Sequence, residues 1–315
     1  PVLEQFRLEL QSNGLLHFVF DMPDRSMNVF SNKAIHELWA FADWLKTSDV
    51  KGVVVCSGKK SAFCAGADLS ELGAAYDMIV AARTEDRFDI AYNHFFPLGH
   101  AIRKLETAGK PVAVAIAGLA LGGGCELALG CHYRVLTTDK MAALGLPESL
   151  VGLFPGAGGT QRMPRIVGLE AGLDILLNGA RLSGEAAVNS SLIHELVEPG
   201  SEIAACETWL LSDKAHATQP WDEVNYSSPS LANIMATTKK VRADIMTQTY
   251  GHFPAPLAIL DCIEQGGHQP MDAAIRTEMS IFSFLIQRVE PRNMIQTMFV
   301  GKTAYDRAVK NGTLS

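Results

Sequence analysis

Residues 111–130 read PVAVAIAGLALGGGCELALG, a run whose only charged side chain is Glu126. Its length matches the ~20 residues a membrane-spanning helix needs, and Gly118 to Gly122 even forms GxxxG. Proline opens the run, however, and each glycine of Gly122–Gly124 would weaken a continuous helix by about 1 kcal/mol. A buried strand over 111–118, a glycine-rich turn and a buried helix carrying Glu126 account for the whole stretch. No membrane span is expected from it, and a strand feeding a helix points to an α/β chain.

The same theme recurs on both sides. GVVVCSG (52–58) reads as a buried strand followed by a small-residue loop, SAFCAGADL (61–69), and helices to Glu106. YRVLTT (133–138) reads as a third, leading to GLPES and then FPGAGGTQR. The units share a plan but no sequence, so they are not a true repeat. Upstream, Phe6, Leu8 and Leu10 alternate as in a strand, Asn13-Gly14 supplies a hairpin turn, and LLHFVF continues as the second strand. Pro23–Ser26 breaks that strand, and Ser31 is placed to cap a helix over 31–46. Ligands of such folds collect where strand ends converge.

From about residue 200 the character changes. SDKAHATQPWDEVNYSSPS (212–230) is polar and rich in Pro and Ser, and reads as a surface loop or linker. Residues 231–312 read as helices divided by Pro254, Pro256, Pro270 and Pro291. Two regions are therefore expected, 1–200 and 201–315.

Composition narrows the function. At 48% hydrophobic and 19% charged the 315-residue chain can bury a large core. A formal charge of -7, with no Lys/Arg run longer than two, opposes nucleic-acid binding. Six cysteines lie in apolar segments without CxxC spacing, as buried free thiols in a reducing compartment do. PVLEQFRLEL has neither a basic nor an apolar leader pattern, so a cytoplasmic setting is expected. Several motifs fall short. PGAGGTQ has Gln161 where a dinucleotide fingerprint needs Gly, VGKT (300–303) lacks the first P-loop glycine, and HELVE (194–198) lacks the second zinc histidine. No GxSxG occurs.

Two loops remain, FCAGADL (63–69) and GLALGGGCEL (118–127). Small side chains there let a ligand approach backbone N–H groups, and two converging N–H groups form an oxyanion hole worth on the order of 10²–10³ in rate per donor. The plainer alternative is that the glycines serve tight turns and close packing. Glu126 is more conspicuous, because a carboxylate in an apolar run is costly without a partner or a task. Glu148 in GLPES looks by itself like an ordinary loop carboxylate. His132 and His194 read as structural histidines, and Trp39, Trp44, Met279, Met294 and Met298 as packing residues.

In order, FCAGADL, GLALGGGCELAL, GLPES and VGLFPGAGGTQRMPRIVG resemble the signature blocks of the crotonase (enoyl-CoA hydratase/isomerase) superfamily, over roughly residues 1–200. The resemblance implies a crotonase-like spiral of ββα units followed by a helical C-terminal region. It also implies an acyl-CoA site in which the N–H groups of Ala67 and Gly123 hold a thioester oxygen. Glu126 and Glu148 align with the catalytic carboxylates, and Asp68 with a residue that holds the oxyanion loop. RSMNVF (25–30) would place Arg25, Ser26 and Met27, with Ala65 and Leu69, along the coenzyme A channel, and Gly122 and Pro147 would flank the substrate. DKMAALGLPE is about two residues longer than the family's usual spacing. WDEVNYSSP, YGHFPAPLAILDCIEQG and FLIQRVEPRNMIQTMFVGK resemble the region after the N-terminal hydratase half of the multifunctional fatty-acid oxidation enzyme (alpha subunit).

The activity so implied is hydration of trans-2-enoyl-CoA in β-oxidation, Glu126 acting as base on water and Glu148 supplying the C2 proton. Delta3-delta2 enoyl-CoA isomerisation would be a second activity of the pair. The alternatives are another enolate-forming acyl-CoA enzyme, an isomerase or hydrolase, and a non-catalytic or RNA-binding relative. No metal and no cofactor beyond coenzyme A as part of the substrate is expected. The partners implied are copies of the chain, in a trimer or dimer of trimers, unless it belongs to a multifunctional complex.

Overall fold

The computed structural model describes residues 1–59 and 62–313, so the loop expected over 61–69 begins one residue outside the described part. The chain opens with the expected hairpin, β1 (Phe6–Leu10) and β2 (Leu15–Phe20), antiparallel in the register Phe6 to Phe20. α1 (Asn32–Leu45) follows, and the Ser31 side chain accepts the Ala34 N–H as its N-cap. Phe18 stacks on Phe6 at 4.4 Å and on Phe41 of α1 at 3.8 Å, which seats the helix on the hairpin.

Three units then repeat one plan. The first comprises β3 (Gly52–Ser57), β4 (Ala62–Cys64), α2 (Leu69–Ala81) and α3 (Arg87–Glu106). The second comprises β5 (Val112–Ile116), β6 (Leu119–Leu121) and α4 (Gly123–Gly130). The third comprises β7 (Tyr133–Thr137), β8 (Ala143–Gly145), a 3-10 turn (Pro147–Val151) and α5 (Gly159–Val167). α6 (Leu169–Asn178), β9 (Arg181–Leu182), α7 (Gly184–Asn189), β10 (Glu195–Val197) and α8 (Glu202–Leu210) close the sheets.

The first strand of each unit joins a six-stranded sheet, β1-β2-β3-β5-β7-β10, parallel from β2 onward. The second joins a small sheet, β4-β6-β8-β9. The strands expected over 52–58, 111–118 and 133–138 are all present. The short strands were expected as loop. Three residues are too few for a period-two pattern to register, and these strands exist because their neighbours pair with them.

Alternation along the long strands divides the core. Val53, Val55, Val112, Val114 and Ile116 face the main cluster, whereas Val54, Cys56, Ala113 and Ala115 face Cys206, Trp209 and Leu210 of α8. With both faces covered, the strands read as continuous apolar runs. All six cysteines are buried free thiols. No helix among the described residues is long and apolar enough to cross a membrane.

The C-terminal region forms α9 (Leu231–Thr249), α10 (Pro254–Gly266), α11 (Met271–Leu285), α12 (Val289–Met294) and α13 (Lys302–Lys310). Pro254 opens α10, Pro270 caps α11 and Pro291 lies in α12, near the helix starts where a missing N–H costs least. Ile259 and Ile263 of α10 and Met279 and Phe282 of α11 share the main cluster with the strands. Phe282 meets Phe154 edge-on at 5.4 Å. Segment 212–230 is the surface loop expected of it, mostly exposed but pinned at two points. Gln219 and Trp221 are buried, Gln219 Nε2 donates to the carbonyls of Gly130 and Cys131, and Asp222 pairs with Arg103. Polar composition gives the exposure of the segment but not these two anchors, Gln219 and Asp222, whose partners lie beneath it.

Candidate active site

The small sheet assembles the site. Register pairs Leu119 with Ala62 and Ala143, and Leu121 with Gly145, so β4, β6 and β8 end side by side. Ala67, Gly123 and Glu148 each follow one of those ends. Residues 119 to 145 thereby meet residues 62 to 68 without any long-range contact that the sequence pattern displays.

Segment 25–30 lies along the first loop. Ala65 N–H donates to Asn28 O, Phe30 N–H to Gly66 O and Asp68 N–H to Phe30 O. In this parallel bridge between Phe30 and Ala67, the flanking residues make the bonds, which turns Ala67's own N–H to the opposite side. Asn28 anchors the segment. Its side chain is buried, accepts the Met22 N–H and donates to Phe20 O, Ser57 Oγ and Phe63 O. Sequence reading passed over Asn28, although a lone Asn beside apolar residues in a break between elements is a recognisable anchor. Asp68 caps α2, its Oδ1 accepting the Ser70 and Glu71 N–H groups, while Oδ2 accepts from Arg25 at 2.9 Å. Arg25 and Met27 are exposed. Arg25, Ser26, Met27, Ala65, Asp68 and Leu69 thus form one continuous edge.

Gly123 begins α4, so its N–H has no partner within the helix and points out of the positive end. Gly66 lies alongside: a Cβ on Gly66 would stand 3.7 Å from the Gly123 nitrogen. Gly122, at φ +53°, takes a backbone form that suits only glycine, and a Cβ there would stand 2.9 Å from Glu148 Oε1. Ala67, Gly122, Gly123 and Glu148 therefore share one small space, and Pro147 opens the 3-10 turn that presents Glu148.

Glu126 sits in the first turn of α4 and is 2% exposed. Its Oε1 accepts the N–H groups of Ala157 at 2.7 Å and Gly159 at 2.8 Å. Burial pushes its pKa up to about 7, opposed by those two bonds and by the Arg162 guanidinium. Glu148 is partly buried, and its Oε2 is out of solvent with no hydrogen-bond partner among the described residues. Burial, then the charge of Glu126, pushes Glu148 well above the ordinary carboxyl range. Two neighbouring carboxyls thus stand in unlike settings, one accepting two N–H groups and one with an oxygen that has no partner among the described residues.

The PGAGGT loop, a failed dinucleotide motif and part of a block resembling the family's signature, holds Glu126. Its chemistry is N–H donation to carboxylates. His132 is a satisfied structural residue, its ring nitrogens bonded to Val112 N–H and Glu106 O and its pKa lowered by burial to about 4.

A two-layer spiral of ββα units with glycine N–H groups at the strand ends is the crotonase-type fold. Residues 11–249 match the profile of the enoyl-CoA hydratase/isomerase family, and the chain belongs to that family. It is 33% identical over 290 residues to the fatty acid oxidation complex subunit alpha of Shewanella frigidimarina, covering 90% of this chain and 39% of that protein. It is 31% identical to the Shewanella loihica subunit, covering 99% of this chain and 43% of that one. The chain thus spans about two fifths of the curated relatives it matches, corresponding to their N-terminal hydratase half. Among solved structures, an enoyl-CoA hydratase from Bacillus halodurans superposes with a TM-score of 0.63 at 18% identity, covering 93% of this chain and 99% of that one. One from Bacillus anthracis gives 0.54 at 21% identity, covering 93% and 95%. Those likenesses establish the fold.

Proposed function

We propose that the chain hydrates trans-2-enoyl-CoA thioesters in fatty-acid β-oxidation, with delta3-delta2 enoyl-CoA isomerisation as a second activity of the same carboxyl pair. The observation that carries this reading is the opposed setting of Glu126 and Glu148 beside the N–H groups of Ala67 and Gly123. The thioester oxygen takes both N–H groups. Glu126 removes a proton from water as the water oxygen bonds to C3. The C2=C3 electron pair moves toward the thioester oxygen, where each donor is worth on the order of 10²–10³ in rate. Collapse of that enolate takes the Glu148 proton to C2, and the cycle closes when Glu126 returns its proton to Glu148.

No metal or redox group is needed for this balance, so coenzyme A enters as part of the substrate alone. A cleft of about 720 Å³ opens at Leu69 between α2 and the C-terminal helices, with Leu72, Tyr76, Ile286 and Ile295 on its walls and Arg292 and Arg307 along it. Apolar walls beside cations suit an acyl thioester carrying phosphates. Cytoplasmic residence and self-association as a trimer or dimer of trimers remain part of the same proposal. The test is a panel of 2-enoyl- and 3-enoyl-CoA substrates of varied length on wild type, Glu126→Gln and Glu148→Gln. Hydration by wild type and near-complete loss in both variants is expected. Full activity in both variants would overturn the roles.

A further inference from the structure

We infer that Glu278, on α11 of the C-terminal region, is a positioning residue for the reaction: it fixes the 157–160 loop whose N–H groups hold Glu126. Four consecutive backbone N–H groups of that loop alternate between two carboxylates. Ala157 and Gly159 donate to Glu126 Oε1. Gly158 donates to Glu278 Oε1 at 2.6 Å and Thr160 to Glu278 Oε2 at 2.9 Å, with Thr160 Oγ1 also donating to Oε2. These N–H groups belong to a turn and the first residues of α5, where they have no helical partner, and left-handed Gly158 sends successive ones to different sides, so the loop is clamped between the two carboxylates.

Gly158 carries the turn at φ +100°, and a Cβ there would collide with the Arg162 guanidinium lying behind the loop. Glu278 is fully buried, and Gln161, whose Nε2 donates to Thr160 Oγ1 and Cys262 O, completes its surroundings. A glutamine at 278 would offer one acceptor oxygen to donors that now engage two. The clamp would open on the side away from Glu126, and Ala157 and Gly159 would lose their aim. Glu278 itself touches no reacting atom.

Charge gives a second readout. The titratable groups around Glu278 are Glu126, Glu148, Arg162, Arg165 and Cys262. Burial and the charge of Glu126 push Glu278 up to about 8, so it is ionised on the alkaline side, where its charge adds to the larger effects of burial and of Glu126 in raising Glu148.

The inference rests on Glu126 acting as base, and the experiment separates the two claims. Crotonyl-CoA hydration is measured across pH on wild type, Glu126→Gln and Glu278→Gln, with hydrogen exchange of residues 155–162. In E278Q, kcat falls about 10²-fold with KM nearly unchanged, the alkaline limb of kcat moves to lower pH, and exchange in 155–162 rises. E278Q at wild-type kcat with an unmoved alkaline limb and unchanged exchange overturns the assignment while E126Q remains inactive. An active E126Q instead sinks the hydratase reading, and the exchange of 155–162 then decides the role of Glu278. Should E278Q fail to fold, Thr160→Val keeps the carboxylate and removes one donor. A smaller loss, about fivefold, with faster exchange is expected there, and no change in either overturns the inference.

Discussion

Glu126 and Glu148 follow neighbouring strand ends of one small sheet, yet the chain holds them in opposite ways. Glu126 takes two backbone N–H groups on one oxygen, and Arg162 adds positive charge. Glu148 has a buried oxygen without a partner among the described residues and the charge of Glu126 beside it. The same side chain thereby meets two unlike settings, as the proposed division into base and acid requires. The difference lies in what surrounds them, because neither residue type nor local sequence distinguishes a base from an acid.

The sharpest way to break the comparison is to neutralise each carboxyl. Glu126→Gln keeps an oxygen able to accept from Ala157 and Gly159, so the loop should stay in place while the base is lost. Hydration should fall by about 10²–10⁴. Glu148→Gln should cost a similar factor through loss of the proton donor. Steady-state kinetics on crotonyl-CoA, with circular dichroism to show retained folding, checks both. The residual pH profiles should differ: Glu126→Gln loses the acidic limb and keeps the alkaline one, whereas Glu148→Gln does the reverse, because the remaining carboxyl still titrates.

A second effect separates them by stability. Glu126 stands at about 7 in the folded protein against an ordinary 4.5. A carboxyl raised in this way contributes its full stability below pH ~4.5 and loses it as pH rises through about 7. Glu126→Gln has no such dependence, so its stability relative to wild type should improve by on the order of 3 kcal/mol between pH 4.5 and 7.5. Denaturant unfolding at several pH values measures the slope. A flat difference would mean that the N–H groups of Ala157 and Gly159 outweigh burial.

Gly122 touches only one side of the comparison. A methyl group there would enter the space of Glu148 Oε1 and would force a residue with a side chain to φ +53°. Gly122→Ala should cost about 1–2 kcal/mol of stability and about 10- to 10²-fold in kcat. The pH-dependent stability assigned to Glu126 should persist in this variant, which calorimetry across pH can verify.

Much of this architecture was open to sequence reading, for stated reasons. Val53–Val55 and Val112–Ile116 are covered on both faces, and such strands announce themselves as apolar runs. β4, β6 and β8 do not, because three residues carry no period and owe their form to pairing across units. Ala67, Gly123, Glu126 and Glu148 came as a set through the resemblance of their motifs to one family, and all four lie just beyond the ends of neighbouring strands of the short sheet. Glu278 escaped because a single Glu in a helix passes for a solvated residue. Ile275, Met279 and Phe282 nevertheless put position 278 beside the buried stripe of α11, which was the available signal. Asp222 escaped for the opposite reason, since the polar company of segment 212–230 hid a residue with a buried partner.

That partner supplies the smallest and most discriminating test. Arg103 is 7% exposed and binds Asp222 through both oxygens, at 2.6 and 2.7 Å, Asp272 at 2.9 Å and Glu106 at 2.9 Å. Glu106 in turn meets the fully buried Arg162 behind the 157–160 loop. Asp222→Asn should cost about 1–3 kcal/mol, because a buried guanidinium loses a charged bidentate acceptor. Asp272 has a side chain 60% exposed, so solvent screens its contribution and Asp272→Asn should change stability by less than about 0.5 kcal/mol. Both should leave kcat near wild type, since Glu278 and Glu126 still clamp the loop. A kcat loss in Asp222→Asn matching that of Glu278→Gln would place the clamp's support in the Arg103–Glu106–Arg162 chain and divide the task between the two routes from the C-terminal region to Glu126.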